Sequence, residues 1–411
     1  MSGVIVIGAG QAASALAAKL RAGGYEAPVT LIGEERDPPY QRPPLSKAYL
    51  LGEMPRDRLY LRPESFYAEA GITLRLGAPV TRIDPQARRV HLGEEALPFD
   101  HLVLATGARP RRLPAAIGGD LAGVFTLRGI ADIEALAPLM RPGARLLVVG
   151  GGYIGLEAAA VARKLGLEVT LVEQSARILQ RVAARETSDW FRALHQSHGV
   201  EIREGVGLAR LTGETRVEGA ELSDGTRLRI DLVIAGIGVS PESGLADAAG
   251  IACGNGIAVD AQGRTSAPGI WAAGDCAAFP WRGRQLRLES VQNAIEQAEC
   301  VAANIMGAGR AYDPHPWFWS DQYDVKLQIA GLGQGHDHVV TRPGKRAGSV
   351  SHWYFAGPRL LAVDAMNDPR AYMAGKRMLE QGRSPEATEI ADPTQDLAAL
   401  MRAPARQTEE S

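Results

Sequence analysis

Two short stretches of this chain carry residue types and spacings suited to holding phosphate. Near the start, Val4–Ile7 runs into Gly8-x-Gly10-x-x-Ala13, and an Ala-rich segment follows to Leu20. Gly8 permits a sharp turn at the end of a strand. Gly10 has no side chain to keep a pyrophosphate off the backbone, and Ala13 is small enough for a helix to lie close to the strand. The helix start then offers free N–H groups and the positive dipole end to an anion. A second apolar run, residues 28–33, ends beside Glu34, whose carboxylate can accept hydrogen bonds from ribose hydroxyls. The same order returns over residues 146–173: strand, Gly150-x-Gly152-x-x-Gly155, helix, strand, and an acidic residue, Glu173. A lone glycine triplet is a weak sign; one set between a strand and a helix is a stronger one. Two units of this kind mean two dinucleotides or one fold copied twice, and the two intact phosphate turns favour the first.

The elements that must position these turns follow from pattern. Each copy is followed by short alternating segments and closes with an apolar strand running into glycine, residues 101–107 and 232–238. Prolines 38, 39, 43 and 44 impose an extended entry, after which residues 45–51 read as a helix. Residues 73–97 and 201–228 read as small antiparallel meanders. Residues 257–275 read as strand, turn, strand, ending in Gly274-Asp275 at a strand-to-helix junction. There Asp275 either faces a phosphate or caps the helix that follows. Residues 287–305 read as helix, and completing the first sheet requires this later segment. From His315 apolar and polar residues alternate between Gly/Pro turns, which predicts an antiparallel sheet of three or more strands, then a helix over 368–382. The tail after Arg383 is polar, with Pro393 and Pro404, and its end is expected to be mobile.

Composition narrows the class. A chain of 411 residues, 45% apolar and 22% charged, is long enough for two to four globular domains. Its 45 Lys and Arg nearly match 47 Asp and Glu, so a nucleic-acid binder relying on global charge is excluded. No apolar run of membrane-spanning length escapes interruption by charge or glycine, and no basic region precedes the first apolar run, so neither a membrane span nor a signal peptide is expected. The three cysteines, Cys253, Cys276 and Cys300, form no CxxC and suit a reducing cytoplasm. His195-x-x-His198 and His336-x-His338 lack a third ligand nearby, and no metal site is expected. A monomer is the default.

Four motifs taken together carry a resemblance. Gly8-Ala9-Gly10-Gln11-Ala12-Ala13, Leu104-Ala105-Thr106-Gly107, residues 150–157 (GGGYIGLE) and Ala273-Gly274-Asp275 lie in an order similar to the two-dinucleotide flavoproteins that include glutathione reductase. More narrowly, residues 42–47 (RPPLSK), 288–298 (LESVQNAIEQA) and 316–323 (PWFWSDQY) resemble putidaredoxin reductase and its relatives, FAD-containing, NADH-dependent ferredoxin reductases. The likeness implies an α/β chain with two Rossmann-like dinucleotide-binding domains and a C-terminal α+β domain with an antiparallel sheet. The corresponding boundaries are 1–112 with 240–314 for FAD, 113–239 for NAD and 315–411 for the third domain.

The resemblance also implies roles. FAD would lie on Gly8, Gly10, Ala13 and Glu34, with Thr106, Gly107 and Asp275 along it and Arg42 at its phosphates. Trp319 and residues 289–293, centred on Val291, would lie near the isoalloxazine, while Trp317 is read as core. NADH would lie on Gly150, Gly152 and Gly155. Glu173 would bind the adenosine ribose and repel the extra phosphate of NADPH, a preference that nearby Arg177 could soften. Lys47 would sit beside flavin N5, paired with Glu157. Disulfide reductases of this kind carry a cysteine pair where this chain reads YQRPPLSK, so the dithiol route is missing and electrons must leave the flavin directly. NADH delivers a hydride, an iron–sulfur acceptor takes one electron at a time, and FAD bridges the two. The implied activity is NADH:ferredoxin reduction, with a 2Fe–2S ferredoxin that supplies a haem monooxygenase or another oxygenase as partner. A rubredoxin reductase or an NADH-sensing flavoprotein are the alternatives. Arg287, Lys376 and Arg377 serve equally well as a docking patch for an acidic ferredoxin or as a solvated face.

Overall fold

The computed structural model describes residues 2–402. They divide into two compact units, one of residues 2–44, 54–109 and 239–314, the other of 45–53, 110–238 and 315–402.

The first unit is built on a five-stranded sheet in the order Ile270–Ala272, His101–Leu104, Val4–Ile7, Val29–Ile32, Ile72–Arg75, with every pair parallel. Val4–Ile7 lies at the centre and is buried throughout, as expected for an all-apolar strand covered on both faces. The helices Gln11–Ala22 and Val291–Ile305 contribute Ala13, Leu16, Ala17, Leu20, Ala298, Val301 and Ala302 to one buried cluster with Val4 and Val6. The late segment Ile270–Ala272 completes this sheet, as the sequence pattern requires.

The second unit repeats the parallel sheet in the order Val200–Glu204, Glu168–Glu173, Arg145–Val149, Leu232–Ala235, Val124–Phe125. Beside it stands a five-stranded antiparallel sheet, Trp317–Gln322, Val325–Gly331, Arg359–Met366, Val350–Ala356, His338–Pro343. The helix Pro369–Glu380 packs on that sheet, capped by Asp368, which accepts from the Ala371 N–H at 3.1 Å.

Several local expectations change. Residues 45–51 do not form a helix: a short 3-10 turn, Pro43–Ser46, leads into isolated turns in which Leu51 N–H reaches Lys47 C=O and Glu53 N–H reaches Ala48 C=O. Residues 73–75 and 201–204 belong to the edges of the parallel sheets, and the meanders are confined to residues 82–98 and 208–229. Alternation alone cannot separate a parallel edge strand from a meander strand. Gly274-Asp275 leads through a turn into the strand Ala277–Trp281, not into a helix, because that strand pairs with Gly256–Ala258 and Arg284–Leu286. Asp275 therefore caps no helix; the next one begins at Val291 and is capped by Ser290.

The polar tail after Arg383 folds as the short helices Ala387–Ala391 and Leu397–Arg402. Ile390 is fully buried, and Arg342 donates to the carbonyls of Ile390, Asp392 and Gln395, which anchors the segment. The chain end expected to be mobile, from residue 403, lies outside the described residues. Among the described residues, no helix is long and apolar enough to cross a membrane.

Candidate active site

The first glycine turn has the shape of a phosphate cradle. Gly8 has φ +113°, and a Cβ there would lie 2.2 Å from the Ala105 carbonyl oxygen. Over Gly10, by contrast, a Cβ would meet no atom within 4 Å. Gly10 precedes the helix Gln11–Ala22, which has no side-chain cap and no acidic residue in its first turn, so its leading N–H groups face the open side. Ala13, fully buried, lets the helix lie close to Val4–Ile7. An open face, uncapped amides and a positive dipole end fit the pyrophosphate of a dinucleotide.

The remaining first-unit residues are placed as follows. Glu34 is exposed, its carboxylate 3.2 Å from the Arg109 guanidinium. Thr106 donates its hydroxyl to the Glu242 carbonyl at 2.6 Å, and Gly107 has φ +72°. Arg42 donates to Glu35 at 2.6 Å and to the Tyr40 hydroxyl at 2.9 Å. Burial opposes its charge, but Tyr40, Glu35 and nearby Asp275 hold the guanidinium protonated. Val291 is the first residue of its helix. Gly274 donates its N–H to Gln297 at 2.8 Å, which fastens the Asp275 turn to that helix. Arg287 is no docking residue: its side chain is buried and bonded to the Asp275 carbonyl and to Glu289. Cys276 is fully buried, and burial pushes its thiol pKa up, so it is no reactive thiolate.

The second glycine turn matches the first. Gly150 has φ +107°, with a Cβ 2.4 Å from the Gly236 carbonyl, and Gly152 again opens onto space with nothing within 4 Å. At Gly155 a Cβ would lie 2.1 Å from the Gly150 carbonyl oxygen, so helix Tyr153–Lys164 approaches its strand only with glycine there. Glu173 accepts from the Gly151 N–H and from the Ser175 N–H, each at 2.7 Å. Each carboxylate oxygen retains a lone pair for a ribose hydroxyl. Arg177 does not soften this site: its guanidinium is bound to Ser188 and to the carbonyls of Ala183 and Ala184.

Within the second unit, Lys47 Nζ lies 2.7 Å from Glu157 Oε2, with the two side chains 19% and 6% exposed. Glu157 projects from helix Tyr153–Lys164, two positions after Gly155, and is the only acidic residue of that helix. Two further donors complete its shell, Ser46 at 2.7 Å on Oε2 and Ser320 at 2.7 Å on Oε1. The sequence reading missed both serines. Ser46 adjoins Lys47, but Ser320 lies 163 residues from Glu157, and only the alternation of WFWSDQ hints that Ser320 and Gln322 face away from Trp317 and Trp319. Trp319 is half-buried with its ring 5.6 Å from that of Trp317, which packs on the C-terminal core.

The histidine pairs turn to other partners. His195 bonds Gln322, His198 bonds the Leu194 carbonyl and stacks on Tyr323 at 3.7 Å, and His336 bonds the Gly333 carbonyl.

Comparison with known proteins shows the family. Residues 2–298 match the family described as pyridine nucleotide-disulphide oxidoreductase, and residues 317–401 match a reductase C-terminal family. The chain is 44% identical to rhodocoxin reductase of Rhodococcus erythropolis, over 92% of this chain and 89% of that one. It is 41% identical to putidaredoxin reductase of Pseudomonas putida, over 97% of each. A crystal structure of the covalent putidaredoxin reductase–putidaredoxin complex superimposes with a TM-score of 0.94 at 40% identity, covering 98% of both chains.

Proposed function

Because the chain belongs to the pyridine nucleotide-disulphide oxidoreductase family, we propose that it is an FAD-dependent NADH:ferredoxin reductase. It takes a hydride from NADH and passes single electrons to a 2Fe–2S ferredoxin that serves an oxygenase. The relatives named as reductases of rhodocoxin and putidaredoxin support this reading. Bound FAD supplies the conversion between a two-electron donor and a one-electron acceptor.

The residues of the chain do the rest. Gly8, Gly10 and Ala13 would hold the FAD pyrophosphate, and Glu34, Arg42, Thr106, Gly107, Asp275, Val291 and Trp319 are the residues proposed to bind the rest of the cofactor. Gly150, Gly152 and Gly155 do the same for NADH. Glu173, already fixed by two backbone donors, binds the adenosine ribose and disfavours a 2′-phosphate by charge. Lys47 would stabilise negative charge on a bound flavin, and Glu157 would hold its ammonium in place. The observation that carries the reading is this ion pair, in a segment with no cysteine to relay electrons. We further read residues 1–112 with 240–314, 113–239 and 315–411 as the FAD, NAD and C-terminal domains of a cytoplasmic monomer.

Purified protein should be yellow. NADH should bleach it in anaerobic stopped flow, and the bleached enzyme should reduce a 2Fe–2S ferredoxin within the turnover time. Bleaching with no onward transfer to any ferredoxin, or transfer to rubredoxin alone, would overturn the assignment.

A further inference from the structure

Glu157 is the end of a string of buried side chains that the proposed chemistry does not require. As a carboxylate it only accepts, so the Ser320 hydroxyl donates to it at 2.7 Å. Ser320 Oγ in turn accepts from Gln322 Nε2 at 3.1 Å. That fixes the orientation of the Gln322 amide and aims Oε1 at His195 Nε2, 2.7 Å away. An amide oxygen cannot donate, so His195 carries its proton on Nε2. Nδ1 is left to accept from the Tyr323 hydroxyl at 3.2 Å. Ser320 and His195 are fully buried and Gln322 is 1% exposed, so water does not compete for these bonds. Every hydrogen along the string points toward Glu157, and bonds polarised in one direction strengthen one another.

We propose that Ser320, Gln322 and His195 are positioning residues, forming a one-way string of hydrogen bonds that ends on Glu157 and keeps its carboxylate aimed at Lys47. The string passes no proton, because the amide of Gln322 is not a carrier. Its contribution is electrostatic and geometric. The charged groups around it are Lys47 facing Glu157, His198 near His195 and Arg163 near Tyr323. Burial holds His195 neutral down to about 4, so the donor form persists through the working pH range. The link to hydride transfer rests on the reductase reading; the string itself does not.

Two measurements on the holoenzyme test the proposal. First, nitrogen NMR of the histidines at neutral pH, assigned with His195→Gln, should show His195 as the neutral Nε2–H tautomer. The Nδ1–H tautomer or a charged ring would overturn the string. Second, Ser320→Ala removes one donor from Glu157, so NADH-driven flavin reduction at saturating NADH should slow by about fivefold while the KM for NADH holds. Gln322→Met should slow it less, and Ser320→Thr, which keeps the hydroxyl, should restore the wild-type rate. An unchanged rate in Ser320→Ala, or a loss that Ser320→Thr fails to restore, would overturn the role assigned to the string. Wild-type flavin reduction in Glu157→Gln would instead sink the ion-pair reading, and the tautomer would still decide the string.

Discussion

The Lys47–Glu157 pair gives a quantitative test through a double-mutant cycle. Lys47→Met removes the cation with little change in volume, and Glu157→Gln removes the anion with none. The contact is 2.7 Å, Glu157 is 6% exposed and Lys47 19% exposed. Breaking a fully buried pair costs about 3–5 kcal/mol, and the partial exposure of Lys47 lowers that to about 2–3 kcal/mol here. Expressed wholly in the barrier to hydride transfer, this corresponds to a rate loss of about 30- to 160-fold, at 1.36 kcal/mol per decade. Each single variant should therefore slow NADH-driven flavin reduction by about that much, measured by anaerobic stopped flow at saturating NADH. The double variant should be little slower than the slower single variant, because removing either partner already disables the pair. Losses that multiply in the double variant would show that Lys47 and Glu157 act independently. That would refute the argument that Glu157 works by holding Lys47.

Other consequences follow from the same geometry. Glu173→Arg should lower the NADH-over-NADPH ratio of kcat/KM by about 100-fold, since in the proposed role Glu173 accepts from the ribose hydroxyls and repels a phosphate; an unchanged ratio would contradict the placement of Glu173. Gly155→Ala should destabilise the second unit by about 1–3 kcal/mol through the 2.1 Å clash with Gly150. Gly10→Ala, which meets nothing, should leave stability intact but weaken FAD retention by about tenfold or more. Equal thermal shifts in the two variants would contradict this. Burial depresses His195 and His352 to about 4, so the stability they contribute is complete above about 6.5 and is lost as pH falls toward about 4. Asp364, raised to about 6 by burial, acts in the opposite sense, losing stability as pH rises through that value. Two groups outweigh one, so the urea midpoint should fall between pH 7 and pH 4.5, and should fall less in His195→Gln. An equal fall in both proteins would contradict the assignment of His195.

Local sequence determined the parts of this protein whose physics is local. The two glycine turns were readable because Gly8 and Gly150 need a positive φ and Gly155 allows a close approach, requirements set within a few residues. The buried strands were readable because parallel strands covered on both faces are continuously apolar. Only the tertiary structure decided what depends on distant partners. Residues 72–75 joined a parallel sheet through pairing with Val29–Ile32, and Asp275 led into a strand because Ala277–Trp281 found neighbours on both sides. Arg287 and Arg177, which read as available charges, were taken up by backbone carbonyls. The shell of Glu157 is the clearest case. Lys47, Ser46 and Ser320 reach it from positions up to 163 residues away, and hydrogen-bond partners at that separation leave no periodic trace in the chain.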